Sequence, residues 1–187
     1  MRSQLRLRRA LDATSAHWMA TTDLESACEQ RRADPSLAAR HARLGVEAAH
    51  RAGNQALLCD AWISLAQSRL MLGRFAPALR ALAAALAAAQ DDEARRARID
   101  LARVHPLVHL GRYEEAAAAA RTAEAAYVAS DDTNGRIRAH MALGDIAFRL
   151  DRPRAALRAY SLVDRLLPEE PPLRVSAALA ANRANAL

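Results

Sequence analysis

The sequence predicts an all-α protein, on three observations. No β-branched run with a two-residue period occurs anywhere in its 187 residues. About a quarter of the residues are alanine, the best helix former and the side chain that lets helices approach most closely. Apolar positions return at helical spacing between turn residues that themselves recur. The organising stretch is 61–86. There Trp62, Leu65 and Ala66 form one apolar stripe, and Leu72-Gly73-Arg74 breaks the chain with glycine in the permissive slot. A second helix follows with Pro77 in its first turn, where a missing N–H costs little. Ala78, Leu82 and Ala85 give it an inner stripe, so the stretch reads as a helical hairpin with one large wedge and small residues at the close approach.

Taken in order, residues 3–20 form a helix with Leu5, Ala10 and Leu11 on a weak apolar face and Trp18 and Met19 at its close. Thr21-Thr22-Asp23 caps a second helix to about Arg32. Asp34-Pro35 breaks it. Ser36 caps a third helix, 37–52, which ends at Gly53-Asn54. In this hairpin either Ala42 or Arg43 occupies a position where a large residue is usual, which leaves two registers open.

The next hairpin, 57–90, ends at Asp91-Asp92, acids that favour the start of the following helix. In the third hairpin Leu110-Gly111-Arg112-Tyr113 repeats Leu72-Gly73-Arg74-Phe75, and Ala120 and Ala123 lie on the inner line. Pro106 falls inside the first helix of that hairpin, where proline costs about 3 kcal/mol or forces a kink. The sequence therefore predicts a kink or local unwinding one turn before it. In the fourth hairpin Asp151-Arg152 replaces the Gly-Arg turn, and Asp tolerates the left-handed conformation. Leu143-Gly144 lets the helices cross closely, and Ala156, Tyr160 and Val163 line the inner face of the second helix. Pro171-Pro172 opens a last helix whose apolar face wants a cover.

The order large, small, Gly, aromatic, Ala, large, Ala resembles the tetratricopeptide (TPR) repeat. Trp62, Leu65, Ala66, Gly73, Phe75, Ala78, Leu82 and Ala85 carry the resemblance. It implies a right-handed α-solenoid of TPR-like hairpins at 23–54, 57–90, 93–130 and 133–168, with a final half-repeat at 172–187 and an N-terminal helix at 1–22. Turn-to-turn spacing is 38 residues (Gly73 to Gly111) and 40 (Gly111 to Asp151), against about 34 in a TPR unit. The excess is expected in inter-hairpin loops such as 90–94 and 130–135 and in longer second helices. Such elongated units are similar to TPR regions of large bacterial regulatory proteins, including those that precede CHAT protease domains. The half-repeat fits a piece of such a protein better than it fits a solvating end helix.

In that family the first helix of each hairpin lines a groove. The pattern transfers to Ile63, Gln67, Leu70 and Met71; to Leu101, His105, Val108 and His109; to Met141, Asp145, Phe148 and Arg149; and to Asn182 and Asn185. The competing reading is that Met71, Leu101 and Met141 simply pack on neighbouring helices. This apolar surface with scattered hydrogen-bonding groups suits a peptide or helix of a partner protein, or an adjacent domain of the same chain. Ile63 and Gln67 depart from the carboxylate clamp of chaperone-binding TPRs, which argues against that partner class.

Composition and motifs exclude much else. The net charge is +6 and all 27 basic residues are arginine. They are interleaved with acids along the chain, which fits a GC-rich bacterial codon usage and a solvated surface. An arginine-rich nucleic-acid-binding repeat remains the rival reading. Cys28 and Cys59 have no metal or disulfide spacing and fit a reduced, cytoplasmic setting. The basic N-terminus lacks the apolar run of a signal peptide, and no stretch approaches the length of a membrane span. His105 and His109 lie four apart as metal ligands could, but no third ligand is evident, so neither a metal nor a cofactor is expected. No phosphate loop, nucleophile elbow or metalloprotease signature occurs, and the acidic pairs sit at helix starts, so no enzymatic activity is expected. Self-association through the uncovered last helix is a further expectation.

Overall fold

The computed structural model describes residues 2–186, and the side chains of 12–173 and 175–186 among them. The described residues form nine helices and no strand: α1 (Arg2–Gln30), α2 (Pro35–Ala52), α3 (Gln55–Met71), α4 (Phe75–Ala88), α5 (Glu93–His109), α6 (Tyr113–Ala129), α7 (Thr133–Arg149), α8 (Pro153–Leu166) and α9 (Leu173–Asn185). The chain divides into two compact units, Met1–Asp92 and Glu93–Leu187.

In the first unit α1 packs on α2, α2 on α3 and α3 on α4, with a further contact between α1 and α3. In the second, α5, α6, α7, α8 and α9 pack in chain order, and α5 touches α7. Each unit is thus a repeat-like stack of helical hairpins. The turns follow the sequence closely. Gly53, Gly73 and Gly111 hold φ of 66°, 67° and 73°, and Asp151 adopts the same left-handed region at 54°. Gln90 and Asp131 do so as well, at 49° and 54°, although neither has glycine's freedom.

Alanine makes the close approaches. Ala27 and Ala42 bury fully against Leu65, with Trp62 partly buried beside them. That places Ala42, not the exposed Arg43, on the inner line and decides the register of the second helix. Ala78, Leu82 and Ala85 of α4 are all at 0% exposure. In the second unit Ala97, Ala123 and Ala139 surround Tyr127, and Ala156, Tyr160 and Val163 pack with Leu179 and Ala186 of the last segment. Gly144 has the role expected of it: a Cβ there would run into the Tyr160 ring, and Gly135 admits Tyr127 in the same way.

Four expectations are corrected. The helix boundary near residue 22 does not exist, because α1 runs unbroken to Gln30. The Thr21 and Thr22 hydroxyls donate to the carbonyls of His17 and Trp18 one turn back, satisfying themselves inside the helix instead of capping a new one. Trp18 and Met19 lie inside this helix rather than at its close, and both are exposed; the expected face of Leu5, Ala10 and Leu11 lies outside the described side chains. The cap of α2 is Asp34, whose carboxylate accepts from the N–H groups of Ser36 and Leu37, not Ser36 itself. The third correction concerns Pro106, and it touches only the unwinding alternative. Helix α5 continues through Pro106 without unwinding, and the proline is buried. The fourth concerns repeat length. The first helices α3, α5 and α7 are 17 residues each, and the loops between α3 and α8 are only three or four residues. The excess over a TPR unit lies in long helices, including the second helices α2 and α6, at 18 and 17 residues, but not α4 and α8, at 14 each.

Candidate functional site

The second unit holds an open groove of about 520 Å³. Its walls come from α5 (Leu101, Val104, His105, Val108, His109), α7 (Ala142, Asp145, Ile146, Phe148, Arg149), the α8 residue Tyr160, and α9 (Asn182, Asn185). On α5 the positions 101, 104, 105 and 108, and on α7 the positions 142, 145, 146 and 149, share the i, i+3, i+4, i+7 spacing of one helical face. The size is in the range of sites that take a small ligand or a few residues of a peptide.

Nine of the residues expected at the groove from sequence come together here: Leu101, His105, Val108, His109, Asp145, Phe148, Arg149, Asn182 and Asn185. Met141 does not line it. It packs instead against the core around Ile137, Tyr160 and Val163. Ile63 is only 6% exposed and belongs to the core of the first unit. Gln67 and Leu70 are half-buried, and Met71 is exposed on that unit. Val104, Ala142, Ile146 and Tyr160 line the groove without having been expected there. Tyr160 read as core because its ring is core, at 1% exposure. Only the hydroxyl at its tip reaches the groove, and the neighbouring Gly144 was the available signal.

Asp145 is the centre of the polar arrangement. Its Oδ1 accepts from the Tyr160 hydroxyl at 2.8 Å and from the Asn182 amide at 2.7 Å. Three helices thus converge on one carboxylate oxygen, and Oδ2 takes part in neither bond. Burial pushes the Asp145 carboxyl above its ordinary range, while the Tyr160 hydrogen bond and Arg149 pull it back. Water still reaches the side chain. The loss of hydration therefore comes from protein atoms crowding the groove rather than from full cover. Burial, and then Asp145, raise the Tyr160 phenol well above its usual value.

The opposite wall carries His105 and His109, with ring centroids 4.4 Å apart and planes at 52°. Burial lowers the His105 pKa, and repulsion from His109 and Arg149 adds to it. At neutral pH His105 is therefore biased toward its uncharged imidazole. Among the described residues no three His, Cys, Asp or Glu side chains cluster as a metal set would. Cys28 and Cys59 are free thiols, one exposed and one buried. No helix of the described residues is long and apolar enough to cross a membrane.

Helix α9 is held in place by Leu179 and Ala186 in the core and by Arg183, which pairs with Asp164 of α8. That docking sets Asn182 and Asn185 at the groove. Other arginines also have acids beside them: Arg103 pairs with Asp100, Arg112 with Glu115 and Arg152 with Glu114.

No protein-family model and no curated relative matches the sequence. The fold is similar to that of BtubC (BKLC) from P. vanneervenii, at TM-score 0.61 and 16% identity, over 93% of this chain and 86% of that one. At that identity the likeness is one of fold.

Proposed function

We propose that this protein is a non-catalytic interaction module of TPR type, a right-handed α-solenoid that binds a peptide segment of a partner protein in the groove of its second unit. The reading includes a regulatory role in the bacterial cytoplasm. The observation that carries it is the groove itself, where apolar side chains of α5 and α7 alternate with hydrogen-bonding groups of α7 and α9. An extended or helical peptide uses such a mixture, because apolar anchors supply affinity and placed polar groups set register. The rival reading, an arginine-rich nucleic-acid surface, has less support, since several arginines pair with neighbouring carboxylates.

The test is a random-peptide display selection on the full chain, followed by binding measurements with variants. Phe148 is 45% exposed and Met71 55%, so alanine at either should leave the fold intact. Selected peptides should lose about tenfold or more in affinity with Phe148→Ala, the cost of removing an aromatic anchor, and nothing with Met71→Ala. Peptides that bind Phe148→Ala as well as the parent chain would overturn the reading. A steep salt-dependent shift of RNA or DNA would favour the rival.

A further inference from the structure

We infer that Asp145 is a recognition carboxylate for a basic side chain, the guanidinium of arginine or the ammonium of lysine, in the peptide that occupies the groove. This rests on the peptide-binding reading above and names the chemistry of one subsite within it.

Four observations lead there. First, the carboxylate is positioned. Tyr160 from α8 and Asn182 from α9 both donate to Oδ1, which fixes the plane of the group. Second, the positioning depends on a vacancy in the backbone. Only a glycine at 144 lets the Tyr160 ring lie against α7 and carry its hydroxyl to Asp145. Third, the bonds occupy one oxygen, and the side chain remains open to a groove of about 520 Å³. Fourth, the charge stands in an otherwise largely apolar stretch of α7, where an apolar residue would continue the wall formed by Ala142 and Ile146. An oriented charge in a cleft is a frequent mark of a site that meets a ligand.

The other charged and titratable groups around it favour a cation over an anion as the guest. From α5, His105 and His109 face the groove, and His105 is driven toward its neutral form. Of the charged and titratable residues of α8, only Tyr160 lines the groove, held protonated by burial and by Asp145, while Arg154, Arg158, Asp164 and Arg165 are outside its lining. From α9 the lining groups are the neutral Asn182 and Asn185. Arg149, one turn along α7, is the one fixed positive charge. It lies on the surface and already acts on Asp145 through space. A guest cation therefore competes with part of the Arg149 field, and a single residue is expected to bind weakly, with the apolar walls supplying the rest of the affinity in a longer peptide.

The experiment is a nuclear magnetic resonance titration of the full chain at pH 7 with Nα-acetyl-arginine amide, compared with the leucine and glutamate amides. The arginine amide should give saturable shifts of the Asn182 side-chain amide and the Asp145 carboxyl carbon, and should lower the Asp145 pKa. Asp145→Asn keeps an acceptor for Tyr160 and Asn182 while removing the charge. It should weaken the response about tenfold to a hundredfold. Tyr160→Phe should raise the Asp145 pKa and weaken binding several-fold, a change that a purely structural hydroxyl would not produce. An undiminished response in Asp145→Asn, or an equal or larger response to the glutamate amide, overturns the inference. Groove shifts with the leucine or glutamate amide alone would overturn it while leaving the peptide groove standing. Silence from all three at saturating concentration also overturns it, and the groove is then judged by the display selection.

Discussion

Helices α3 and α7 have the same length and sit at the same distance from their turns, yet they spend their surfaces differently. On α3 the run from Ile63 to Ala66 is buried, together with Ser68, and leaves Gln67 and Leu70 half-covered. On α7 Asp145, Phe148 and Arg149, equivalent to Gln67, Leu70 and the exposed Met71, are all exposed and line a groove. The neighbours differ as well. In the first unit Trp62 and Leu65 pack against Ala27 and Ala42. In the second unit Gly144 admits the Tyr160 ring against α7. A shared repeat register thus gives equivalent positions without equivalent exposure.

Core truncation should give the largest effect and treat the units alike. Leu82→Ala in the first unit and Leu107→Ala in the second each remove a side chain under 2% exposed. Each should cost about 2–5 kcal/mol by urea unfolding. The next test separates two glycines. Gly144→Ala and Gly135→Ala should each cost about 1–3 kcal/mol through overpacking against a tyrosine. Only Gly144→Ala should also disturb the Asp145 and Asn182 signals, and equal disturbance by both would blur the distinction drawn here.

Smaller effects concern charge. The Asp145 pKa is raised by folding. Its contribution to stability is therefore full below the ordinary carboxylate range and is lost as pH rises through the raised value. Asp145→Asn should melt with the parent chain at pH 3 and above it at pH 7, as read by thermal unfolding. For His105 and His140 burial lowers the pKa. Their contribution is full above the ordinary histidine value of 6.5 and is lost as pH falls from there through the lowered folded value. Imidazole proton titration should find both below 6.5, and a midpoint above it for His105 would remove the neutral His105 from the wall opposite Asp145. Smallest of all, Met71→Ala should stay within about 0.5 kcal/mol of the parent chain.

Much of this fold was written in local signals that need no partner to be read. Gly73, Gly111 and Asp151 announce left-handed turns by residue type alone, and Ala78, Leu82 and Ala85 announce a buried stripe by spacing alone. What stayed hidden depends on tertiary choice. Thr21 and Thr22 suit a cap or a helix interior equally, and only the packing of α1 on α2 decides. Pro106 carries a local penalty, yet α5 runs through it with the proline buried. At the groove, periodicity brought Leu101, His105, Asp145 and Arg149 to one face correctly. It could not tell that Met141 turns into the core, nor that the tip of the Tyr160 side chain turns out of it.

The left-handed residues Gly53, Gly73, Gln90, Gly111, Asp131 and Asp151 stand 20, 17, 21, 20 and 20 positions apart. Each of these six reversals therefore hangs on a single left-handed residue in a linker of two to four. A gene built on that beat can gain or shed a whole hairpin by one in-frame duplication or deletion of about 40 codons. The cut ends already carry their own stop and start, so length becomes a quantity that selection can dial in discrete steps.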